Sequence, residues 1–320
     1  MTQPHITVLK EQLVSALNLS DSDWAIDCTA GFGGHTELLI ELVGKKGKVF
    51  AFDRDPTAIE YLKDKFANEI KDGNLVLIER PFADLSQIID TYNLRGNVAG
   101  ICADVGVSSP QLDQAARGFS LMSDGPLDMR MDQTQDLSAY ELVNGFDKSQ
   151  LIDIFRRYGE EPKAGLIASL IVEHRKIKPI ETTLQLANLI EKNVHYKTKS
   201  RKHPATKVFQ AIRIFVNDEL NQLEKLCQDA VEVLKPCGRL SIISFHSLED
   251  RIVKKSFQKM AEGSKADHQL RKLPISEAEF NRLCNIQAKI IKPFPLLPND
   301  KEIADNPRAR SAKLRTIEKL

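Results

Sequence analysis

The stretch G-F-G-G-H, residues 31–35, has residue types suited to a loop that holds a nucleotide-like ligand. Glycine adopts positive φ readily and lets the backbone approach a ligand closely. An apolar run, Trp24 to Cys28, precedes this stretch, and a helical pattern with Leu38, Leu39 and Leu42 on one face follows it. Strand, glycine-rich turn and helix form the entry of a nucleotide-binding α/β unit. The pattern therefore predicts a ligand loop between a first strand and a first helix.

Asp53 and Phe82 would lie at the same edge of a parallel sheet. Asp53 ends a second predicted strand, Lys48 to Asp53, twenty-two residues after Gly31. An acid at about this spacing binds ribose hydroxyls. The alternative is a helix N-cap, a role that Asp55 could fill equally well. Phe82 follows the third predicted strand, where its flat ring could cover an adenine or pack in the core.

The fourth predicted strand ends in the sequence A-D-V-G-V-S-S-P-Q, residues 103–111. Methyltransferases that act on nucleic-acid amines carry a short polar-proline motif at this point, and its oxygens accept hydrogen bonds from the amine. These acceptors matter because the lone pair of a cytosine N4 is delocalised into the ring, and holding its hydrogens aims the nitrogen at a methyl sulfonium. Ser108-Ser109-Pro110 resembles that motif without its usual second proline and aromatic residue. The alternative is a turn that begins the next segment.

His246 follows the fifth predicted strand, which ends at Phe245, and is a candidate substrate contact at the same edge. The simpler interpretation of this stretch is structural. Ser247 and Asp250 have the spacing of a capping box at the start of the next helix.

Other uses of such a loop fit the sequence less well. A NAD dehydrogenase would have G-x-G-x-x-G and a P-loop NTPase needs G-K-[ST], whereas this loop continues with His35 and Thr36. Methylation of a base carbon would need a nucleophilic cysteine at the ligand edge. Cys237 precedes the fifth strand and is therefore expected to be structural. The five cysteines form no C-x-x-C pair, so neither a metal site nor a disulfide framework is predicted.

The alternation of strands and helices predicts an α/β fold with a parallel sheet and right-handed crossovers. Four strands are predicted before Gly106, after which the pattern becomes helical. Later, one long helix is predicted from Pro204 to Leu234, and two β-like runs, Ile286 to Ile291 and Ala312 to Ile317, are expected to pair antiparallel. The predicted domains are residues 1–106, the first part of the sheet domain, residues 107–203, an inserted helical substrate-recognition domain, and residues 204–320, the second part of the sheet domain.

The composition, 42% apolar and 28% charged, is that of an ordinary soluble globular protein. It predicts no membrane segment, and with no signal or transit pattern we expect a cytoplasmic location.

The net charge is only +1, yet basic residues cluster in two places. Residues 192–213 contain seven Lys or Arg and no acidic residue. The second cluster comprises Arg308, Arg310, Lys313 and Arg315. Such clusters usually mark solvated faces, but beside a cofactor fold they favour phosphate contacts.

Taken in order, the motifs of this chain resemble those of the MraW family, the small-subunit ribosomal RNA (cytosine-N4)-methyltransferases of bacteria. The resemblance implies a class I S-adenosylmethionine-dependent methyltransferase fold, Rossmann-like, with a helical domain inserted after strand four. The matching motifs are H-I-T-V-L-K-E, G-G-H-T, A-F-D-R-D, D-V-G-V-S-S-P-Q-L-D, R-G-F-S, G-P-L-D-M-R-M-D, Y-G-E-E, H-P-A-T-K-V-F-Q-A-I-R-I, S-F-H-S-L-E-D-R and N-P-R-A-R-S-A-K-L-R.

The same resemblance implies S-adenosylmethionine as the cofactor and 16S rRNA of the small ribosomal subunit as the partner, with a cytidine N4 amine as the acceptor. No metal is expected, because a sulfonium is already an activated methyl donor. By motif, the cofactor contacts are Gly33, Gly34, His35, Asp53, Phe82, Asp104 and Gln111. The residues expected to serve catalysis are Asp104, Ser108, Ser109, Pro110 and His246.

Two other functions remain open. One is a methyltransferase that acts on DNA or protein, which is distinguished by the polymer that accepts the methyl group. The other is a protein that has kept the fold, lost catalysis and acts in ribosome assembly, which is distinguished by a failure to bind S-adenosylmethionine.

Overall fold

The chain forms two compact units in a computed structural model that describes residues 7–107, 109–196, 203–263 and 275–320. The first unit contains the residues up to Gly106 and from Leu220 onward, and the second is Val107–Glu219. Across the described ranges, no helix is both long and apolar enough to cross a membrane.

The first unit is built on a seven-stranded sheet. Its strands are β1 Trp24–Asp27, β2 Lys48–Asp53, β3 Leu75–Glu79, β4 Val98–Asp104, β5 Leu234–Ser244, β6 Ala288–Leu296 and β7 Lys313–Lys319. Their order in the sheet is β3-β2-β1-β4-β5-β7-β6. Strands β1 to β5 are parallel, whereas β7 runs antiparallel to both β5 and β6. This arrangement confirms the expected α/β, Rossmann-like sheet and the late antiparallel pair.

Helices cover both faces of this sheet, which is why its central strands are apolar almost without interruption. Along β2, Val49 and Ala51 face a core shared with the first helices, while Phe50 and Phe52 face the opposite core. The helices of this unit are α1 Lys10–Ala16, α2 Gly34–Val43, α3 Pro56–Lys65, α4 Ala67–Lys71, α5 Leu85–Ile88, α12 Glu219–Val233, α13 Ser247–Glu262, α14 Glu277–Leu283 and α15 Asp300–Asp305.

Helix α2 differs from the prediction in the face that it buries. Leu39 and Val43 are buried together with His35 and Thr36, whereas Leu42 is 45% exposed. The apolar triplet therefore does not share one buried face, because the buried stripe begins with the polar residues of the glycine-rich loop.

The second unit is helical and has its own apolar core. Three of its helices begin at capping boxes, whose N-cap residues are Ser138, Asp147 and Thr182. The helices are α6 Ser109–Asp113, α7 Ala139–Gly145, α8 Lys148–Gly159, α9 Ala164–Arg175, α10 Thr183–Asn193 and α11 Thr206–Val216.

The prediction of one long helix from Pro204 to Leu234 was wrong. The chain turns after α11, at Asn217 and Asp218, and α12 begins at Glu219. Helix α11 buries Val208, Ile212 and other apolar residues in the helical core, so the second unit extends to Glu219 rather than to residue 203. The buried Asn217 amide donates to Met129 O at 2.7 Å and so holds the turn in place.

Candidate active site

The glycine-rich loop has two halves with different roles. Gly33 has φ 77° at the N-cap of α2, and an added Cβ would lie 2.6 Å from Phe66 Cε2. A Cβ on Gly34 would collide with the Thr7 side chain. Gly31 also has positive φ, 51°, but nothing lies closer than 3.9 Å to the position of its Cβ. The second half is thus packed against the protein, and the open space lies beside Gly31.

A buried acid at the end of β1 organises this loop. Asp27 is fully buried, and its carboxylate accepts hydrogen bonds from Thr36 Oγ1 at 2.7 Å and Thr29 N at 3.1 Å. Burial raises the pKa of Asp27, and these hydrogen bonds partly oppose the rise. Thr29 Oγ1 in turn accepts a 2.7 Å hydrogen bond from Asp104 N. Sequence reasoning did not assign Thr29 a role, although its position between a strand-end acid and the glycines was a usable signal.

Asp53 connects the loop to the next helix. Its Oδ2 accepts a hydrogen bond from Gly31 N and its Oδ1 from Asp55 N, both at 2.8 Å. Asp55, not Asp53, is the N-cap of α3 and accepts from Thr57 N at 3.1 Å. Burial raises the pKa of Asp53 to about 6, although the two backbone hydrogen bonds and Arg54 oppose the rise. The carboxylate therefore stands at the strand end beside the open side of the loop.

Asp104 ends β4 with an unsatisfied carboxylate. Its Oδ1 is buried and has no hydrogen-bond partner among the residues that the structure describes. Burial, together with repulsion from Asp27 and Glu249, raises the pKa of this carboxyl well above its usual value. A buried acceptor without a partner is costly, and such groups concentrate at functional sites.

His246 lies at the end of β5, where it is the N-cap of α13. Its Nδ1 accepts a hydrogen bond from Glu249 N at 3.4 Å, and Glu249 completes the capping box. The predicted capping box of Ser247 with Asp250 was therefore wrong. Asp250 instead contacts Lys313 Nζ at 3.0 Å and Arg315 Nε at 2.9 Å.

Two more predicted site residues, Phe82 and Gln111, lie within the described part of the chain. Phe82 lies in a 3₁₀ turn, Phe82–Asp84, and is half-buried against the core of the first unit. Gln111 is buried in α6 of the second unit. Ser108 and the side chains of Ser109 and Pro110 lie outside the described part of the chain, so their predicted roles stay predictions.

The two basic clusters contain residues that serve the fold. Arg315 is 4% exposed and paired with Asp250, so its assignment to phosphate binding was wrong. Arg213 also forms an ion pair within the protein, because its guanidinium donates two 2.8 Å hydrogen bonds to the Glu219 carboxylate. Residues 197–202 lie outside the described residues. Lys192, Arg308 and Arg310 are exposed and remain candidates for RNA contact.

Comparison with known proteins gives the family. The profile of the MraW methylase family matches residues 2–320. The ribosomal RNA small subunit methyltransferase H of Alteromonas mediterranea is 42% identical over 326 residues, covering 100% of both chains. Two solved structures are similar only at low scores. A SAM-dependent O-methyltransferase from Thermotoga maritima has 11% identity, TM-score 0.42 and coverage of 100% of this chain and 68% of its own. A methyltransferase homologue from Pyrococcus horikoshii has 13% identity and a TM-score of 0.42, and the match covers 99% of this chain and 68% of its own. Given the full-length family match and the 42% identical relative, the chain belongs to the MraW methylase family.

Proposed function

We propose that this protein transfers a methyl group from S-adenosylmethionine to the N4 amine of a cytidine in 16S rRNA of the small ribosomal subunit, in the cytoplasm. Membership of a methylase family supports the reaction class, and the relative named for ribosomal RNA supports the substrate class. The observation that carries the proposal is Asp104 at the end of β4, whose carboxylate oxygen Oδ1 is buried and has no hydrogen-bond partner in the described part of the chain. In an α/β sheet of this kind, ligands bind at the carboxyl ends of the strands.

The residues around the glycine-rich loop fit S-adenosylmethionine. Asp53 offers a carboxylate suited to ribose hydroxyls, and the open space beside Gly31 lets the backbone come close to the ligand. Phe82 presents a half-buried ring at the end of the neighbouring strand. We further propose that Gly33, Gly34 and His35 shape the loop for the methionine part, and that Gln111 is a cofactor contact. When bound, the sulfonium supplies an electrophilic methyl group.

Asp104 can hold the acceptor amine. Its unpartnered Oδ1 can accept an N–H hydrogen bond, which aligns the nitrogen and draws electron density toward it. A carboxylate whose pKa is raised by burial is also a stronger base, so it can take the proton that the amine must release. We propose that Ser108, Ser109 and the carbonyls around Pro110 supply the other acceptors.

Exposed basic residues would bind the RNA backbone. Arg308 and Arg310 follow α15 in the first unit, and Lys192 lies near the end of α10 in the second. Phosphate contacts of this kind give affinity that falls with salt, whereas the base at the active site must be unstacked to reach the methyl donor.

A labelled-methyl assay tests the substrate class. Wild-type protein is incubated with labelled S-adenosylmethionine and undermethylated small subunits, with DNA and bulk protein offered in parallel. We expect label in the RNA alone. Label in DNA or protein would indicate a methyltransferase of another substrate. If calorimetry shows no S-adenosylmethionine binding, the protein is a non-catalytic assembly factor.

A further inference from the structure

Both ring nitrogens of His246 face Glu249. Because Nδ1 accepts a hydrogen bond from Glu249 N, Nδ1 carries no proton, and the neutral ring has its proton on Nε2. Nε2 lies 2.9 Å from Glu249 Oε1 and is itself buried. The ring edge that could exchange protons is therefore turned toward the protein.

Glu249 is itself held in place by the backbone. Its Oε2 accepts from Phe245 N at 2.8 Å and from His246 N at 3.2 Å, and its side chain is 2% exposed. Glu249 thus holds the imidazole at the end of β5 by the hydrogen bond from its backbone N–H to Nδ1, and its carboxylate lies beside Nε2. The His246 side chain retains 13% exposure, and because Nε2 is buried this exposure comes from other atoms of the side chain.

This fixed ring lies at the same sheet edge as Asp104. Strands β4 and β5 are parallel neighbours with Asp104 opposite Ile243, and His246 follows three residues later. A base taken out of its stack needs a flat partner, and His, like Phe, Tyr and Trp, stacks on unpaired bases. The chain after β4, from Val105 to Gln111, contains no aromatic residue that could fill this role.

We propose that His246 determines specificity by stacking its ring face on the target cytosine, and that Glu249 is the positioning residue that fixes this ring. The inference deepens the proposed function and depends on it. Because both ring nitrogens are directed at Glu249, the ring would contact the substrate through its face. His246 would then not carry a proton in the reaction.

Two substitutions of His246 distinguish the role of its ring from its role as the N-cap of α13. His246→Asn keeps a good N-cap side chain and removes the ring, whereas His246→Phe keeps a ring and removes the cap. We expect H246N to raise the KM for undermethylated small-subunit RNA about tenfold and H246F only about twofold, as the loss of one stacking contact predicts. Thermal unfolding should show the opposite order, with H246F the less stable variant. Calorimetry should show the same S-adenosylmethionine affinity in both.

The reverse order of KM values, with H246N close to wild type and folded H246F strongly impaired, would overturn the inference. Should H246F not fold, NMR of histidine labelled with ¹³C and ¹⁵N still decides, since H246N identifies the His246 signals by their loss. The expected result is the Nε2–H tautomer in wild type, and an Nδ1–H tautomer in wild type contradicts the proposal. A wild-type enzyme that labels no RNA would refute the proposed function, whereas normal labelling with an unchanged KM in H246N would refute only this inference.

Discussion

Two groups of acids in the first unit are in opposite electrostatic situations, one at the strand ends of β2 and β4 and the other paired with cations beside β5 and β7. Asp53 and Asp104, at the carboxyl ends of β2 and β4, are desolvated, and burial raises the pKa of each. Beside the antiparallel pair β5 and β7, Asp250 contacts Lys313 and Arg315, and Glu318 contacts Arg239 and Lys289. These cations hold the pKa values of Asp250 and Glu318 below their usual range despite partial burial.

This difference in pKa shift distinguishes acids that stabilise the fold from acids that are available to bind a ligand. An acid paired with arginine has its charge compensated within the protein, so its removal should lower stability. An acid buried without such a pair costs stability and is retained where a ligand or a reaction uses it. Substitutions of acids from each group should therefore affect activity and stability differently.

Asp104→Asn should abolish most methyl transfer without unfolding the protein. Losing the anionic acceptor and base is expected to lower kcat about 10²–10³-fold. Neutralising a buried carboxylate whose Oδ1 has no partner in the described chain should leave the melting temperature equal or higher. Single-turnover rates and thermal unfolding check this pair of effects. A destabilised Asp104→Asn protein with normal turnover would place Asp104 among the structural acids.

Asp250→Ala should show the opposite behaviour. It leaves the buried Arg315 guanidinium without its carboxylate, and we expect a loss of about 2–3 kcal/mol in the free energy of unfolding. Asp153→Ala is the matched control, because its pair with Arg157 is exposed and should contribute about 0–0.5 kcal/mol. Denaturant titration measures both. Equal effects of the two substitutions would show that burial of the Arg315 pair does not matter.

Asp53→Ala should weaken S-adenosylmethionine binding by about 1–3 kcal/mol, since a charged acceptor and the anchor of Gly31 are lost together. Calorimetric titration gives the value directly. Asp55→Ala is the control, because it removes the N-cap of α3 but keeps the Asp53 carboxylate assigned to ribose, and it should chiefly reduce stability. Unchanged affinity in Asp53→Ala would refute the assignment to ribose.

The pH dependence of cofactor affinity should follow Asp53. Its pKa is raised to about 6 in the free protein, so the carboxylate that accepts ribose hydroxyls is lost as the pH falls through that value. Affinity should then drop about tenfold between pH 7 and pH 5, and Asp53→Asn should flatten this slope. For stability the sign is opposite. A raised acid pKa stabilises the fold below about pH 4, and this contribution is lost as the pH rises through about 6.

The strand-end acids could be predicted from the sequence because each closes an apolar run. Strand β2 was predicted as Lys48 to Asp53 and has those bounds, since a polar residue flanks each end of a continuous apolar stretch. The glycine spacing likewise predicts the ligand loop, and the change to a helical pattern after Gly106 predicts the start of the second unit. Periodicity and motif spacing thus gave the elements that carry the site.

The partners of these residues could not be predicted. Nothing local distinguishes Arg315, which is buried against Asp250, from the exposed Arg310, because the pairing residue is sixty-five positions away. His246 as an N-cap was missed because caps are usually Ser, Thr, Asp or Asn. The break between α11 and α12 was missed because Asn217 and Asp218 include neither glycine nor proline, although Asp218 has φ 50°.

Nucleoside analysis of the methylated product shows whether the site with Asp104 methylates a cytosine amine. Undermethylated small-subunit RNA is treated with the wild-type protein and labelled S-adenosylmethionine, and then digested to nucleosides. We expect label in N4-methylcytidine, and its near-absence in the Asp104→Asn sample. Label in any other nucleoside, or none in RNA, would contradict the proposed function.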